Sequence, residues 1–140
     1  MINAGTAAGK EESPLKRLWI AAALLALLLA GSLANAQYAQ SLSAGLSGRL
    51  EQAHAMARED RWEQARELTQ AVYRDWQSHT FYLHTVMRHS DTDQILRSFQ
   101  AVLQYLELQE MDQYAAANAD LVTQLRLLAE MEQASVENVL

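Results

Sequence analysis

The sequence predicts an all-α protein in which one N-terminal transmembrane or signal helix is followed by an antiparallel up-down bundle of three to four helices. A basic flank before an apolar segment near the N-terminus predicts the first helix. From Arg49 to the C-terminus the chain has neither proline nor glycine and is rich in strong helix formers. Apolar residues there recur at spacings of three and four, which indicates helices with one buried face. Helices joined by short turns pack as antiparallel neighbours.

The pattern divides the chain into three parts. Residues 1–14 are small and polar and are predicted to form a disordered cytoplasmic tail. Residues 15–36 are predicted to be a transmembrane anchor or a signal peptide, because Lys16 and Arg17 precede a dense apolar block and a basic flank stays in the cytoplasm. Residues 37–140 then form an extracytoplasmic helical bundle. The expected location is the cell membrane, with a single pass and the C-terminal domain outside.

Two outcomes remain open for the apolar segment. Its dense block, Leu18–Ala30, is shorter than the span of about 20 residues that a bilayer needs, and Ala34–Ala36 offers the small residues that a signal peptidase reads. Against cleavage, the chain stays uncharged as far as Gly48, so a span that starts at Leu15 is long enough. The residues alone therefore allow either an uncleaved anchor or a bundle that is secreted after cleavage following Ala36.

The spacing of apolar residues predicts the individual bundle helices. The first runs from about Gln37 to Arg58, and the second begins at Asp60–Glu63, which has the form of a capping box. The buried stripes of the second, third and fourth helices are Trp62, Ala65, Thr69, Val72, Trp76, Thr80, Leu83 and Met87, then Ile95, Phe99, Val102 and Leu106, then Tyr114, Ala117, Asn118, Leu121, Leu125 and Leu128. The polar run His89–Asp93 and the segment near Met111–Asp112 are predicted turns. The predicted core consists of Trp62, Val72, Trp76, Phe99, Leu106, Leu121 and Leu125; no internal repeat is convincing.

Composition argues against several classes of function. The chain has no cysteine, which excludes a disulfide framework, a thiolate metal site and a cysteine nucleophile. The net charge is −6 and no basic cluster follows the apolar segment, so a nucleic-acid partner is not expected. No serine, histidine and acid combination is suggested by spacing, and no glycine-rich phosphate loop follows Gly48. We therefore predict no catalytic residues and expect the protein not to be an enzyme.

The histidines do not predict a metal site. His79 and His84 are separated by about 140° around a helix and cannot share an ion. Glu51 and His54 have the spacing that di-iron bundles use, but such sites need a second pair and two more glutamates on facing helices. No second pair exists in the sequence. We expect neither a metal nor another cofactor.

A pattern of aromatic, acidic and leucine residues extends over most of the chain: Trp62, Trp76, His84, Asp91–Ile95, Tyr105, Asp112, Leu121, Leu125, Leu128, Glu130–Glu132 and Ser135–Leu140. It resembles an uncharacterised bacterial family, a domain of unknown function found in small single-span membrane proteins with a helical extracytoplasmic domain. The resemblance covers Leu18–Leu140. It implies a retained anchor, so an uncleaved anchor is our expectation, and it implies no known activity.

Antiparallel packing predicts a polar cluster at one end of the bundle. The turn near Ser90 brings the end of the second helix beside the start of the third, and the turn near Asp112 brings the end of the fourth helix to the same place. The predicted cluster consists of His84, Arg88, His89, Glu130 and Glu132, with at least one direct ion pair from Glu132 to His84 or Arg88.

The sequence supports two hypotheses of function. The first is a membrane-anchored, non-enzymatic interaction module that binds another protein of the envelope. The second is an exported soluble bundle that holds a small ligand or a metal in its core. The second hypothesis requires a cavity of about 300 Å³ or more, lined by the aromatic residues and by converging polar groups. The first requires a flat, exposed apolar or acidic patch and no enclosed cavity.

Overall fold

The computed structural model describes residues 13–79 and 89–138 of the chain. These residues form four helices and no strand, and we name the helices α1 (Pro14–Arg58), α2 (Trp62–Ser78), α3 (His89–Leu108) and α4 (Met111–Glu137). The predicted all-α fold class, a long apolar N-terminal helix followed by a helical bundle, is confirmed. Residues 1–12 of the predicted tail lie outside the described residues.

Helix α1 is continuous from Pro14 to Arg58, so the prediction of a separate bundle helix that starts near Gln37 is wrong. Glycines in a helix cost only about 1 kcal/mol each relative to alanine, and the segment contains no proline after Pro14 that would remove a backbone hydrogen bond. The alanine and leucine residues around Gly31 are strong helix formers. The helix therefore continues through the glycines.

Residues 1–35 and residues 36–140 are two compact units. In the first unit the described residues belong to α1, and their large side chains are exposed, as at Trp19 with 72% and Leu28 with 71% of the side chain accessible. Helix α1 is the one helix among the described residues that is long and apolar enough to cross a membrane, and none of its most apolar window is buried.

The second unit has a continuous apolar core. Six of the seven predicted core residues are buried in it: Val72, Trp76, Phe99, Leu106, Leu121 and Leu125. Trp62 is the exception, because it is only partly buried. It is the first residue of α2 and its ring contacts the edge of Tyr114 at a centroid distance of 6.2 Å. Trp62 therefore covers one end of the core rather than filling its centre.

The connection between α1 and α2 is a Schellman turn and not the predicted capping box. Asp60 has a φ of 59°, the left-handed conformation that ends a helix. The N–H of Asp60 donates to the carbonyl of Ala57 and the N–H of Arg61 donates to the carbonyl of Met56. Asp60 thus ends α1 and cannot cap α2. Arg61 occupies the N-cap position, and its side chain makes no capping hydrogen bond.

The connection between α3 and α4 repeats this geometry. Gln109 has a φ of 55°, its N–H donates to Leu106, and the N–H of Glu110 donates to Tyr105. The turn predicted near Met111–Asp112 therefore lies two residues earlier, at Gln109–Glu110, because α4 begins at Met111. The run His89–Asp93 was also predicted as a turn, and it forms instead the first residues of α3.

The two Schellman turns belong to a structural repeat with an offset of 49 residues (109 − 60). The buried positions of α1 and α2 recur in α3 and α4 at this offset, in the pairs Ser43/Thr92, Leu46/Ile95, Leu50/Phe99, Ala53/Val102, Ala57/Leu106, Ala65/Tyr114, Thr69/Asn118, Val72/Leu121 and Trp76/Leu125. The expectation of no internal repeat is therefore wrong for the structure. The paired side chains differ so much in size and type that the sequence does not show it.

Contacts between the helices of the second unit close the bundle. Arg49 on α1 pairs with Asp75 on α2 at 2.8 Å, and Ser98 on α3 donates to Gln124 on α4 at 3.0 Å. The Tyr73 ring on α2 lies 5.2 Å from the Phe99 ring on α3. The fourth side is formed by α1 and α4. The two helical hairpins thus pack as a four-helix bundle, in which the α1–α4 side is the counterpart of the α2–α3 side.

The Schellman turns predict an effect of glycine. Replacement of Asp60 by glycine is expected to raise the free energy of unfolding by about 0.5–1 kcal/mol, because only glycine adopts a positive φ without a steric penalty. Thermal unfolding followed by circular dichroism measures the change. The matched control is Gln100→Gly, at an exposed position inside α3, which is expected to lower stability by about 1 kcal/mol. A lower melting temperature for Asp60→Gly than for the parent would show that the aspartate side chain itself holds the turn.

Candidate functional site

Helices α1 and α4 approach each other through small and polar side chains. The hydroxyl of Ser43 donates to the carbonyl of Leu125 at 2.7 Å. The amide nitrogen of Asn118 donates to the carbonyl of Leu50 at 3.2 Å. Both side chains are buried, so each ties the backbone of the opposite helix in a place where the hydrogen bond is shielded from water.

Two open cavities lie along this side of the bundle, and we call them together the α1–α4 groove. The first has a volume of about 290 Å³ and is lined in part by Gln40, Ala44, Ser47, Gly48 and Glu130. The second has a volume of about 260 Å³ and is lined in part by His54, Asn118, Ala119, Val122 and Thr123. Glu51 and Arg126 line both cavities.

An ion pair bridges the groove between its two cavities. Arg126 on α4 donates to the carboxylate of Glu51 on α1 at 2.7 Å. The two side chains are 60% and 56% exposed, so the pair contributes only about 0–1 kcal/mol to stability. A solvated pair of this kind can open and exchange partners at little cost, which suits the rim of a docking surface.

The groove contains polar atoms without a hydrogen-bond partner among the described residues. They are the hydroxyl of Ser47, whose residue is 2% exposed, and the carbonyl oxygen of the Asn118 side chain, whose residue is 4% exposed. A buried polar atom that lacks a partner costs about 1–3 kcal/mol. An occupant that displaced the side chains covering these two atoms and offered them hydrogen bonds would recover part of that free energy.

On the opposite side of the bundle, larger side chains occupy the corresponding positions. At the 49-residue offset, Ser47 corresponds to Leu96 and Val122 corresponds to Tyr73. Both of these larger side chains pack against the core, and the Tyr73 ring also stacks on Trp76 at 6.5 Å. The α2–α3 side is thus filled by large side chains where the α1–α4 side has small ones.

The aromatic residues of the core pack closely against one another. Trp76 lies 5.6 Å from Phe99 between ring centroids, and an apolar cavity beside Trp76 has a volume of only about 20 Å³. That volume holds about one water molecule. The space beside Trp76 is therefore too small for a ligand of ordinary size.

The described histidines make local contacts. His54 lies against the Tyr114 ring at 5.9 Å, and His79 Nδ1 lies 2.8 Å from the backbone oxygen of Asp75. No group of three histidine, aspartate or glutamate side chains that could hold a metal ion occurs within residues 13–79 and 89–138.

The predicted polar cluster falls largely outside the described residues. His84 and Arg88 are not among them, and for His89 only its position at the start of α3 is described. Glu130 is exposed and lines the α1–α4 groove, whereas Glu132 is half-buried and has an interaction partner. The predicted pairing of Glu132 with His84 or Arg88 remains a prediction. The groove itself was missed, and the signal for it is the run of small residues on α1 between Ser41 and Gly48.

Tyr114 allows a test of the buried polar atoms. Its side chain is fully buried, its hydroxyl has no hydrogen-bond partner within the described ranges, and burial raises the pKa of the phenol. Replacement of Tyr114 by phenylalanine is therefore expected to leave stability unchanged or to raise it by about 1 kcal/mol. The control is Tyr73→Phe, which removes the hydrogen bond that Gln77 donates to the Tyr73 hydroxyl. Urea unfolding of the parent, Tyr114→Phe and Tyr73→Phe proteins measures these changes in the free energy of unfolding. A loss above about 1 kcal/mol for Tyr114→Phe would show that the Tyr114 hydroxyl has a hydrogen-bond partner.

A family model described as "Domain of unknown function (DUF4363)" matches residues 33–139. The match includes the whole second compact unit except its last residue. No curated protein and no solved structure is detectably similar to the chain.

Proposed function

The chain belongs to this family, DUF4363, a domain of unknown function, and we propose that it is a membrane-anchored helical interaction module that binds another protein outside the cytoplasm and catalyses no reaction. The observation that carries the proposal is the exposed apolar part of α1. Leu18, Trp19 and Leu28 in this part of the helix are 68–72% exposed. Such a surface is stable in a bilayer and unstable in water.

The charge pattern supports the orientation. Lys16 and Arg17 precede the apolar segment, and no charged residue follows until Arg49. Because basic residues stay on the cytoplasmic side, this pattern favours a cytoplasmic N-terminus and a bundle outside. The alternative remains an exported bundle that is released after cleavage following Ala36.

The bundle itself supports a binding role. An extended polar groove lies along α1 and α4, and it combines open volume, buried polar atoms and a solvated ion pair. This is the anatomy of a surface that docks a protein segment. The second hypothesis, a small ligand or a metal held in the core, is less well supported, because the apolar cavity beside Trp76 has a volume of about 20 Å³.

Extraction and sequencing of the protein from cells test this proposal. The full chain is expected to stay in the membrane pellet after washing at alkaline pH, and its N-terminus is expected to precede Ala36. A mature chain that begins at Gln37 and is soluble without detergent would replace the anchored module by the secreted alternative. The matched control is a chain in which Lys16 and Arg17 are both replaced by glutamate, which is expected to insert poorly.

A further inference from the structure

Two glycines of α1 have no structural explanation among the described residues. Gly45 and Gly48 lie in the helix interior, where each costs about 1 kcal/mol relative to alanine. Neither has a positive φ, and a Cβ added at either position would meet nothing within 4 Å. They therefore serve no unusual backbone conformation and no close contact within residues 13–79 and 89–138. The open space beside them is available to a second molecule.

The structural repeat shows which residues the same positions carry when they face water. At the 49-residue offset, Ala44, Gly45 and Gly48 of α1 correspond to Asp93, Gln94 and Arg97 of α3, and both sets are exposed. Helix α3 thus has the large, charged or amide side chains of a solvated face. Helix α1 has the smallest side chains available. We call the exposed residues Ser41, Ala44, Gly45 and Gly48 the small face.

The small face adjoins the first cavity of the α1–α4 groove and a buried hydroxyl without a partner. Gln40, Ala44 and Gly48 line that cavity together with Ser47. Ser47 is 2% exposed and its hydroxyl has no hydrogen-bond partner within the described residues. A helix packed closely on the small face would bring backbone and side-chain polar groups near this hydroxyl. The hydroxyl is an observation independent of the small side chains, and it points to the same missing neighbour.

We propose that the small face packs against the small face of a second copy of this chain, so that two α1 helices cross closely in a symmetric dimer. This inference rests on the proposed function and deepens it by naming the partner. Small residues at spacings of four, such as Ser41 with Gly45 and Ala44 with Gly48, let two helix backbones approach. Close approach needs small residues on both helices, and a second copy supplies them in a two-fold interface.

The charge distribution favours a copy in parallel orientation. Helix α1 has no charged residue from Leu18 to Gly48, so two parallel helices meet no like-charge repulsion over a length of about 46 Å. Two chains anchored in the same membrane present α1 in the same direction and at the same height. The small face belongs to this uncharged stretch of the sequence.

Cysteine cross-linking tests the dimer directly, because the chain has no cysteine of its own. In a parallel two-fold interface identical residues face each other. The full chain with Ala44→Cys, in isolated membranes treated with a mild oxidant, is therefore expected to form a disulfide dimer of twice the chain's mass. The matched control is Asp93→Cys, the corresponding exposed position of α3, which is expected to stay monomeric. Equal yields from the two variants, or no dimer from Ala44→Cys, would overturn the proposal.

A second pair of variants tests the close approach. Gly48→Leu is expected to fold normally, because its side chain enters open space, and to lower the dimer association constant in detergent by about tenfold or more. Arg97→Leu, at the corresponding position of α3, is expected to leave association unchanged. Sedimentation of both full-length chains measures association, and circular dichroism verifies folding. A folded Gly48→Leu chain that associates like the parent contradicts the inference.

The failure of this inference is distinguishable from failure of the proposed function. If Ala44→Cys is captured only with a different protein, the interaction module stands and the second copy is wrong. If the chain is released from membranes by alkaline washing and still cross-links through Ala44→Cys, the dimer stands and the anchor is wrong.

Discussion

Replacement of Trp76 by alanine is expected to lower the free energy of unfolding of the bundle by about 3–5 kcal/mol. Trp76 is 3% exposed, and its ring lies 5.6 Å from Phe99 and 6.5 Å from Tyr73. Removal of the indole leaves a cavity where three helices meet, since Leu125 and Leu42 line the small space beside it. Domains of this size are stable by about 5–15 kcal/mol, so the loss leaves the bundle marginal or unfolded.

Thermal unfolding of the full chain in detergent measures this loss. The matched control is Leu127→Ala on α4, where the side chain is 50% exposed and the expected change is within about 0.5 kcal/mol. If Trp76→Ala melts within a degree or two of the parent, the packing of this region differs from the one described.

Replacement of Leu24 and Leu25 by arginine is expected to remove the protein from the membrane. Each arginine at the centre of a span costs about 2.5–3.5 kcal/mol and also forfeits the favourable insertion of leucine. Both side chains are more than half exposed and lie outside the second compact unit, so the bundle is expected to stay folded. The double arginine variant therefore tests membrane anchoring without disturbing the folding of the bundle.

Alkaline extraction of membranes from cells that express the variant checks this prediction. The Leu24→Met and Leu25→Met double variant serves as control and is expected to remain in the pellet, because methionine keeps the segment apolar and helical. An arginine variant that resists extraction as well as the parent does would mean that the apolar part of α1 is not what holds the protein.

Periodicity was enough to predict most of the fold. The three-and-four spacing of Val72, Trp76, Phe99, Leu121 and Leu125 placed these residues in one core, because a helix that buries one face must repeat apolar residues at this period. The terminal residue Trp62 is only partly buried, because a stripe does not reveal where the bundle ends.

The turns and the repeat could not be predicted from the same signals. Asp60 resembled the N-cap of α2, but an aspartate can also adopt a positive φ. In the structure Asp60 adopts this conformation at the C-terminus of α1 and is therefore not the cap of α2. Gln109 gives no sequence signal for the left-handed conformation that it adopts. The two hairpins share burial positions rather than residue types, so Ala65 and Tyr114 occupy matching places without resembling each other.

The candidate site shows where the sequence argument was incomplete. Spacing placed polar residues such as His84 and Glu132 at one end of the bundle, whereas the groove that the structure contains is defined by the small size of Ala44, Ser47 and Gly48. Small residues in a helix do not by themselves indicate a groove. They do so only when the equivalent position of the structural repeat carries a large side chain. The 49-residue counterparts Asp93, Leu96 and Arg97 provide that comparison.

Thiol labelling of single-cysteine variants tests the proposed topology, a cytoplasmic N-terminus with the bundle outside, most directly. The parent chain has no cysteine, so it gives no background labelling. Asp93→Cys reports on the bundle and Ser13→Cys reports on the residue before α1, and both positions are exposed. With a reagent that does not cross the cytoplasmic membrane, Asp93→Cys is expected to label in intact cells and Ser13→Cys only after lysis. Labelling of Ser13→Cys in intact cells, with Asp93→Cys protected until lysis, would contradict the account.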